Sequence, residues 1–322
     1  MLSSKNNYTV SIIIPSYKRS LQLEKTLSSL CSNLIISCEV IVVLGPNDLE
    51  SKFVVQSFFS RIPSLKIYNS PLPSLITSLN IGLSKALGEI IVLIDDDVEL
   101  PKFWLKKIIS KFKSDAKMGA YGGRDILKIA DAEHLTNVKP AKIVGKFRFD
   151  GILIGNHHCG SIFRQSFVDV LKGVNLSFKR SSFPIMTIDT KLIYIGAETC
   201  SEVDICLSIK KNGFNILYDN DNYLFHMPAP RQNYDDRLDL FSSTFKKRFF
   251  NYGYVMGKYR PIHEIIFYAI RNSLIGSRFS PGFLWSLLLV KKSGPKIFLI
   301  PFIMFFNFLI GVSFGVSRRI YF

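Results

Sequence analysis

The sequence predicts an α/β fold in which a mostly parallel sheet is flanked by helices and is followed by a helical C-terminal segment. Apolar, strand-like runs alternate with amphipathic helical stretches over the first hundred residues, the order typical of parallel sheets with crossover helices. The strand-like runs are apolar along their whole length, as expected of strands covered on both faces. An uncharged run of 20 residues, Ile297–Val316, stands near the end of the chain.

The elements are predicted in the following order. The strands are "TVSIIIPSY" (9–17), "CEVIVVLG" (38–45), "LKIYNS" (65–70) and "EIIVLI" (89–94). The helices between them are "SLQLEKTLSSLCSNL" (20–34), "ESKFVVQSFFSRI" (50–62) and "LITSLNIGLSKAL" (75–87). Ser20 is the expected cap of the first helix, because serine readily accepts a hydrogen bond from a free N–H group there.

Positive charge is concentrated at the C-terminal end. The chain has a net charge of +16, and residues 241–322 contain 12 lysines and arginines but a single acid, Glu264. This basic, aromatic and apolar composition predicts an anionic membrane surface as partner rather than a nucleic acid, since no zinc-finger spacing or RNA-recognition signature accompanies the charge. We therefore divide the chain into residues 1–230, a basic interfacial region 231–296 and a membrane anchor with a short tail, 297–322.

The run Ile297–Val316 covers roughly 30 Å as a helix, which is the thickness of a bilayer core. Lysines precede it and arginines follow it, which favours a transmembrane anchor over a buried core helix. The positive-inside rule places the attached domain on the cytoplasmic side. The basic stretch "FKKRFFNYGYVMGKYR" (245–260) is expected along the headgroups, with a basic surface helix as the alternative.

Three consecutive carboxylates, Asp95–Asp97, directly follow the fourth strand. In parallel sheets ligands bind beyond the carboxyl ends of the strands, where Pro15–Tyr17 also lie. The plainer interpretation is a solvated turn that caps the next helix. The sharper one is a divalent cation, held by carboxylate oxygens and shared with substrate phosphates. The absence of GxGxxG and GxxxxGK[ST] motifs argues against a dinucleotide oxidoreductase and a P-loop NTPase.

Four ordered stretches resemble the inverting family 2 glycosyltransferases of GT-A fold. They are "VSIIIPSYKRSLQLEKTLSSL" (10–30), "NIGLSKALGEIIVLIDDDVELP" (80–101), "GVNLSFKR" (173–180) and "SEVDICLSIKKNGFNILYDNDNYLFH" (201–226). The resemblance implies a GT-A fold and transfer of a hexose, with inversion, from a nucleotide-sugar donor. It also implies Mg²⁺ or Mn²⁺ as cofactor.

The resemblance further implies roles for individual residues. The expected donor-binding residues are Pro15, Ser16, Tyr17, Asp48, Asp96, Asn175 and Arg180. The expected metal ligands are Asp95, Asp97 and His226, and the expected catalytic residues are Glu202 and Asp204. Glu202 would take the proton of the attacking hydroxyl as general base. Asp204 would either fix the helix end or bind the acceptor.

The chain also departs from the family pattern. Leu44 stands where the second strand usually ends in an acid that reads the base, and Asp48, four residues later, is the candidate replacement. Ser201 replaces the first acid of the acidic helix motif, and Ser208 stands where an arginine is common. The departure at Leu44 leaves open which nucleotide is bound, and those at Ser201 and Ser208 leave open which contacts the acidic helix makes.

Several of these residues also have plainer interpretations. On the residue alone, Glu202 would be an exposed helix residue and His226 a strand-end histidine. Arg180 would be a surface charge and Asn175 a turn residue.

The leading hypothesis is a membrane-associated glycosyltransferase that extends a lipid-linked or cell-surface glycan at the cytoplasmic face. A polyprenyl-phosphate sugar synthase and a non-catalytic, membrane-tethered nucleotide-sugar-binding module are the alternatives. A phosphate acceptor needs no base, so only the first hypothesis depends on Glu202.

Overall fold

The structure is a computed structural model that describes residues 8–35, 37–128, 138–194, 198–228 and 239–319. The chain forms two compact units that alternate along the sequence. Unit 1 consists of Met1–Lys146, Gly155–Ile188 and Ile205–Gln232. Unit 2 consists of Phe147–Ile154, Asp189–Asp204 and Asn233–Phe322. The division into 1–230, 231–296 and 297–322 stays a prediction about the roles of these regions.

The described residues contain thirteen strands and nine α-helices. The strands are β1 (Val10–Ser16), β2 (Cys38–Leu44), β3 (Leu65–Asn69), β4 (Ile90–Ile94), β5 (Val98–Glu99), β6 (Met118–Leu127), β7 (Lys146–Phe147), β8 (Leu153–Ile154), β9 (Gln165–Phe167), β10 (Asn175–Lys179), β11 (Asn215–His226), β12 (Gly276–Ser277) and β13 (Ser280–Pro281). The helices are α1 (Ser20–Cys31), α2 (Leu49–Ser57), α3 (Leu75–Lys85), α4 (Trp104–Ser114), α5 (Ser201–Lys211), α6 (Ser243–Tyr259), α7 (Ile262–Leu274), α8 (Phe283–Ser293) and α9 (Ile300–Arg319).

Unit 1 is built on a nine-stranded mixed sheet, so the predicted α/β fold class is confirmed. Eight strands follow the order β3-β2-β1-β4-β10-β6-β11-β5, and β9 pairs with β11 outside this path. β1 to β4 are parallel to one another, as the sequence predicts. β10 lies antiparallel between β4 and β6, while β11 runs parallel to β6. The carboxyl ends of β1, β4, β6 and β11 therefore meet at one edge of the sheet.

Helix α1 covers the sheet beside β1 and β4. Its residues Leu23, Leu27 and Leu30 recur at helical spacing and are completely buried. The prediction that Ser20 caps this helix is wrong, because α1 begins at Ser20 and Arg19 occupies the cap position without a side-chain cap bond. The Arg19 side chain is instead hydrogen-bonded to acids that follow β4.

Unit 2 is mainly helical and has its own apolar core. Its buried residues come from α6, α7 and α9 and from the turn before α9; they include Phe249, Met256, Ile265, Ile300, Met304 and Phe308. Among the described residues one helical segment, Pro295–Arg319, is long and apolar enough to cross a membrane, and a third of its most apolar window is buried in the protein. Length and composition alone do not separate a spanning helix from a core helix.

Helices α6 and α9 approach each other through glycines on both sides. A Cβ atom added at Gly253 of α6 would lie 2.1 Å from the carbonyl oxygen of Phe308, and one added at Gly311 of α9 would lie 2.1 Å from that of Phe250. Four residues further along each helix, a Cβ added at Gly257 would lie 2.4 Å from the carbonyl oxygen of Val312, and one added at Gly315 would lie 2.1 Å from that of Tyr254. Two Gly-x-x-x-Gly segments thus face each other, a pattern that lets helix backbones come close.

This glycine contact can be tested with Gly311→Val. Valine has the better helix propensity, but its side chain would collide with the α6 backbone. We expect the variant to lose roughly 3 kcal/mol of free energy of unfolding, measured as a lower denaturant midpoint. Ser313→Val, at an exposed position two residues further on, is the matched control and should change stability by less than about 0.5 kcal/mol. Equal stability of the two variants would contradict the close approach.

Candidate active site

The three acids after β4 lie where the sequence places them, at the carboxyl edge of the sheet. Asp95 is partly exposed, whereas Asp96 and Asp97 are buried. Helix α1 fixes the backbone of this turn through Thr26, a completely buried residue. The Thr26 hydroxyl lies 2.8 Å from the carbonyl oxygen of Asp96 and accepts a hydrogen bond from the N–H of Val98 at 3.0 Å. The turn is therefore held in one conformation by its neighbour helix.

Arg19 is the nearest arginine to these acids in the described part of the chain. Its guanidinium donates to Asp96 Oδ1 at 3.0 Å and to Asp97 Oδ2 at 3.1 Å. The hydroxyl of Ser16, at the end of β1, donates to the other oxygen of Asp96 at 2.6 Å. Asp96 thus ties the first loop to the turn after β4, which is a structural task in addition to the predicted donor contact.

His226 reaches the acids because its strand pairs with β5. In this antiparallel pairing His226 lies opposite Val98, directly after the acidic turn. Its Nε2 atom lies 3.3 Å from Asp97 Oδ1, and its Nδ1 atom lies 3.7 Å from Asp125 Oδ2. Asp125 is a completely buried residue of β6 that also pairs with Lys172. A carboxylate behind a histidine in this way orients its ring and sets which nitrogen faces the site.

The positive charge near Asp95, Asp96 and Asp97 is too small to neutralise all three carboxyl groups. Desolvation of its carboxyl group and the charge of the neighbouring Asp97 raise the pKa of Asp95 to about 7. Burial also raises the pKa of Asp96 to about 6, although Arg19 and Ser16 pull it down. Burial lowers the pKa of His226, but the hydrogen bonds and charges of Asp125 and Asp97 outweigh it and raise the value to about 9. Carboxyl groups that resist ionisation mark a place where an added cation would be stabilised.

Three of these residues have the geometry of a cation site. Ligand atoms of Asp95, Asp97 and His226 all lie within 4.8 Å of one another. Two carboxylates and an imidazole form a donor set that suits Mn²⁺, and the carboxylate oxygens suit Mg²⁺ as well. The residues present therefore fit a divalent cation, and they are the three metal ligands that the family resemblance implies.

The first loop follows β1 at the carboxyl edge of the sheet. The ring of Tyr17 lies against Gly45, where an added Cβ would be only 2.1 Å from Tyr17 Cδ2. Asp48 caps α2 by accepting from the N–H of Ser51, and it also accepts from the N–H of Lys18 at 2.5 Å. Asp48 thus joins the first loop to the one after β2, and its predicted contact with the base stays a prediction.

The two ends of "GVNLSFKR" lie at different ends of the sheet. Asn175, at the start of β10, pairs with Ile94 beside the acids, and its buried amide bonds to Trp104 and to the Asn222 carbonyl. Arg180, just past the end of β10, donates to the carbonyl oxygens of Ala86 and Gly88, which precede β4. Because β10 is antiparallel to β4, Arg180 is roughly 17 Å along the strand from Asn175. The structure thus brings Asn175, but not Arg180, to the acids.

Glu202 and Asp204 belong to unit 2, in the first turn of α5. Glu202 is half-buried and accepts a hydrogen bond from Ser201 at 3.0 Å. Asp204 is buried in a network of unit 2, where Lys258 and the hydroxyl of Tyr259 each donate to its Oδ1 atom at 2.8 Å. Its other oxygen accepts from the N–H of Asp189 at 3.1 Å. These contacts attach the first turn of α5 to the end of α6, and the role of Asp204 stays a prediction.

Sequence reasoning missed Arg19, Thr26, Asp125 and Lys172. Arg19 follows the first strand by three residues, so the parallel-sheet rule that located Asp95–Asp97 would have located it too. Asp125 is a lone acid inside a strand, and such a buried charge needs a partner. Thr26 and Lys172 carry no such signal in the sequence.

Comparison with known families gives one match. The model of the family described as "Glycosyl transferase family 2" matches residues 11–171, half of the chain. A comparison with curated proteins finds no significant match.

Solved structures similar to the chain share its fold at low sequence identity. A structure of GalNAc-T7 with UDP, GalNAc and Mn²⁺ has a TM-score of 0.60 and 14% identity over 88% of this chain, which spans only 54% of that protein. S. aureus TarS 1-349 in complex with UDP-GlcNAc has a TM-score of 0.58 and 12% identity, covering 97% of this chain and 90% of its own. The mannosyltransferase PcManGT from Pyrobaculum calidifontis, in complex with GDP-Man and Mn²⁺, has a TM-score of 0.53 and 14% identity, with 97% and 87% covered. These likenesses confirm the GT-A fold.

Proposed function

Because the chain belongs to glycosyltransferase family 2, we propose that it transfers a hexose from a nucleotide-sugar to a hydroxyl group of a lipid-linked or cell-surface glycan, with inversion. The observation that carries this proposal is the cluster of Asp95, Asp97 and His226 at the carboxyl end of β4. In open α/β sheets this edge is where ligands bind.

Asp95, Asp97 and His226 would hold Mg²⁺ or Mn²⁺. The bound cation supplies positive charge for the diphosphate leaving group. Two of the similar structures, those of GalNAc-T7 and PcManGT, contain Mn²⁺, which supports this assignment. Asp125 would act as a positioning residue, because it lies behind the His226 ring and orients Nε2 toward the site.

The donor would lie along the first loop. Tyr17, packed on Gly45, offers an aromatic surface for the base, and Pro15 and Ser16 set the position of that loop at the end of β1. Asp48 would contact the base from its cap of α2. Asn175 and Asp96 would position the sugar or phosphates indirectly, since both side chains are already hydrogen-bonded within the protein.

Glu202 would accept the proton of the acceptor hydroxyl as the new glycosidic bond forms and the bond to the nucleoside diphosphate breaks. Asp204 would fix the first turn of α5, through Lys258 and Tyr259, and so hold Glu202 in place. The C-terminal region would keep the enzyme at an anionic membrane, with the catalytic domain on the cytoplasmic side.

A screen of nucleotide-sugars tests this function. The full chain is incubated with UDP-, GDP- and dTDP-hexoses, with Mg²⁺, with Mn²⁺ and with EDTA, and release of the nucleoside diphosphate is measured. We expect release from one class of donor, dependent on the cation and at least about tenfold faster with the acceptor glycan present. Tight binding of a donor without release or transfer would instead identify a non-catalytic binding module.

A further inference from the structure

One face of helix α9 packs against the rest of unit 2. Its glycines pack against α6, and its residues Met304 and Phe308 belong to the apolar core of unit 2. Arg319, at its end, donates to the carbonyl oxygens of Met256, Gly257 and Arg260 at the end of α6. The two helices are therefore joined along most of their length.

Helix α6 is too polar to enter a bilayer together with α9. Lys246 and Lys247 are exposed near its start. Near its end Lys258 lies in a buried network with Asp189 and Asp204, 3.3 Å and 2.8 Å from their carboxylate oxygens. Charged groups at the bilayer centre are costly. A spanning α9 would thus either bring these charges into the hydrocarbon or abandon its contacts with α6.

The other face of α9 is apolar and exposed. Phe302, Phe306, Ile310 and Phe314 recur every four residues, and each is about half exposed. Helix α7 carries a similar stripe of exposed residues at the same spacing, Ile262, Ile266, Ile270 and Leu274. Soluble monomers rarely expose apolar surface of this extent without a partner. We call the stripe on α9 the apolar face of unit 2.

Cations flank this face. Lys291, Lys292 and Lys296 are exposed just before α9. At the other end Lys191 lies 5.5 Å from the ring centre of Phe314, and Lys247 lies 5.2 Å from that of Phe250, which contacts Phe314. Apolar side chains bordered by cations complement acyl chains bordered by anionic headgroups. A second copy of the chain would instead bring like charges together.

We propose that α9 lies in the plane of an anionic bilayer, with the apolar face of unit 2 inserted at the boundary between headgroups and acyl chains. This inference deepens the proposed membrane association, because it names the surface and its orientation. The contacts of α9 with α6 stay intact in this arrangement, and the basic residues around the face bind lipid phosphates.

Vesicle flotation of the full chain tests the surface. Phe306→Glu combined with Ile310→Glu changes two exposed residues, so the core of unit 2 is preserved. We expect partitioning into vesicles of phosphatidylcholine and phosphatidylglycerol to fall at least roughly 100-fold. The control is Phe53→Glu combined with Phe59→Glu, two exposed residues of unit 1, which should bind as the unchanged chain does. Equal binding of both double variants would overturn the proposal.

Depth of insertion separates an in-plane helix from a spanning one. Tryptophan is placed at Phe302, Ile310 or Phe314 in a Trp285→Phe background, and its fluorescence is quenched by lipids brominated near the headgroup or near the chain end. We expect all three positions to be quenched most by the shallow bromines. Quenching of position 310 mainly by deep bromines, with 302 and 314 shallow, would show a spanning helix and overturn the proposal.

Two further outcomes would also decide against it. If the unchanged chain ignores vesicles but forms a dimer that the double glutamate variant dissociates, the apolar face binds a second copy. Absence of both vesicle binding and dimerisation would leave the face without a lipid role. Nucleotide release is measured without vesicles for every variant, so that loss of catalysis is recognised separately from loss of lipid binding.

Discussion

Asp97→Asn should weaken binding of UDP and GDP in the presence of Mn²⁺ by at least about 100-fold. Asparagine has nearly the same shape, but it removes a negative charge from the cluster of Asp95, Asp97 and His226. It also loses the ion pair with Arg19, 3.1 Å away. Affinity for Mn²⁺ alone and for each nucleotide with and without Mn²⁺ can be measured by titration calorimetry.

Glu99→Gln is the matched control for Asp97→Asn. It removes a carboxylate two residues further on. Glu99 is exposed, and the ion pair described for it is with Lys128. We expect its affinities to stay within about twofold of those of the unchanged chain. If Asp97→Asn keeps the same Mn²⁺ dependence as Glu99→Gln, Asp97 is not a ligand.

Glu202→Gln should keep donor binding but slow transfer to a hydroxyl acceptor by about 10²- to 10⁴-fold. The amide retains the size of the side chain and its contact with Ser201, yet it cannot take a proton. Binding and turnover should therefore separate. Steady-state rates and donor affinity, measured on the same preparation, would show this separation.

The control for Glu202→Gln is Glu198→Gln, four residues earlier, where the carboxylate accepts from the N–H of Tyr194. We expect nearly unchanged rates from this variant. Full activity of Glu202→Gln with a hydroxyl acceptor would assign the base to another residue. Full activity with a polyprenyl phosphate acceptor, in contrast, would favour the sugar synthase, because a phosphate oxygen needs no base.

The parallel half of the sheet was predictable because local signals agree there. β1, β2 and β4 are mostly apolar and almost entirely buried, and helices with regular apolar spacing separate the strands. The rule that ligands bind at the carboxyl edge then located the acids. The antiparallel strand β10 carries no signal of its direction, since pairing with β4 and β6 is decided by residues far away in sequence.

The direction of β10 explains why Arg180 lies far from the acids, although the sequence predicts it as a donor-binding residue. A motif reads as one segment in the sequence, but an extended strand separates its two ends by several residues' length. Asn175 lies beside the acids, and Arg180 lies at the opposite edge, bonded to carbonyls after α3. Similarity to the family motif identifies this segment in the sequence. The strand pairing determines which of its residues lies beside the acids.

The contacts that stabilise the acids were beyond a reading of local pattern. Arg19 occupies a helix-cap position, for which serine is the usual residue, and its role becomes visible only when β1 and β4 are neighbours. Asp125 supports His226 through strands whose residues are about a hundred positions apart. Such pairs depend on tertiary structure and not on spacing.

The reciprocal glycine contact also has a practical consequence for producing the enzyme. Deleting the chain from Pro295 onward would remove α9, which packs on Gly253 and Gly257. The deletion would also expose the core of unit 2. The C-terminal end of α6 also holds Asp204 through Lys258. Loss of α9 would therefore also disturb the first turn of α5, which carries Glu202. To make the protein more soluble, it is better to keep α9 and to replace its exposed phenylalanines with polar residues.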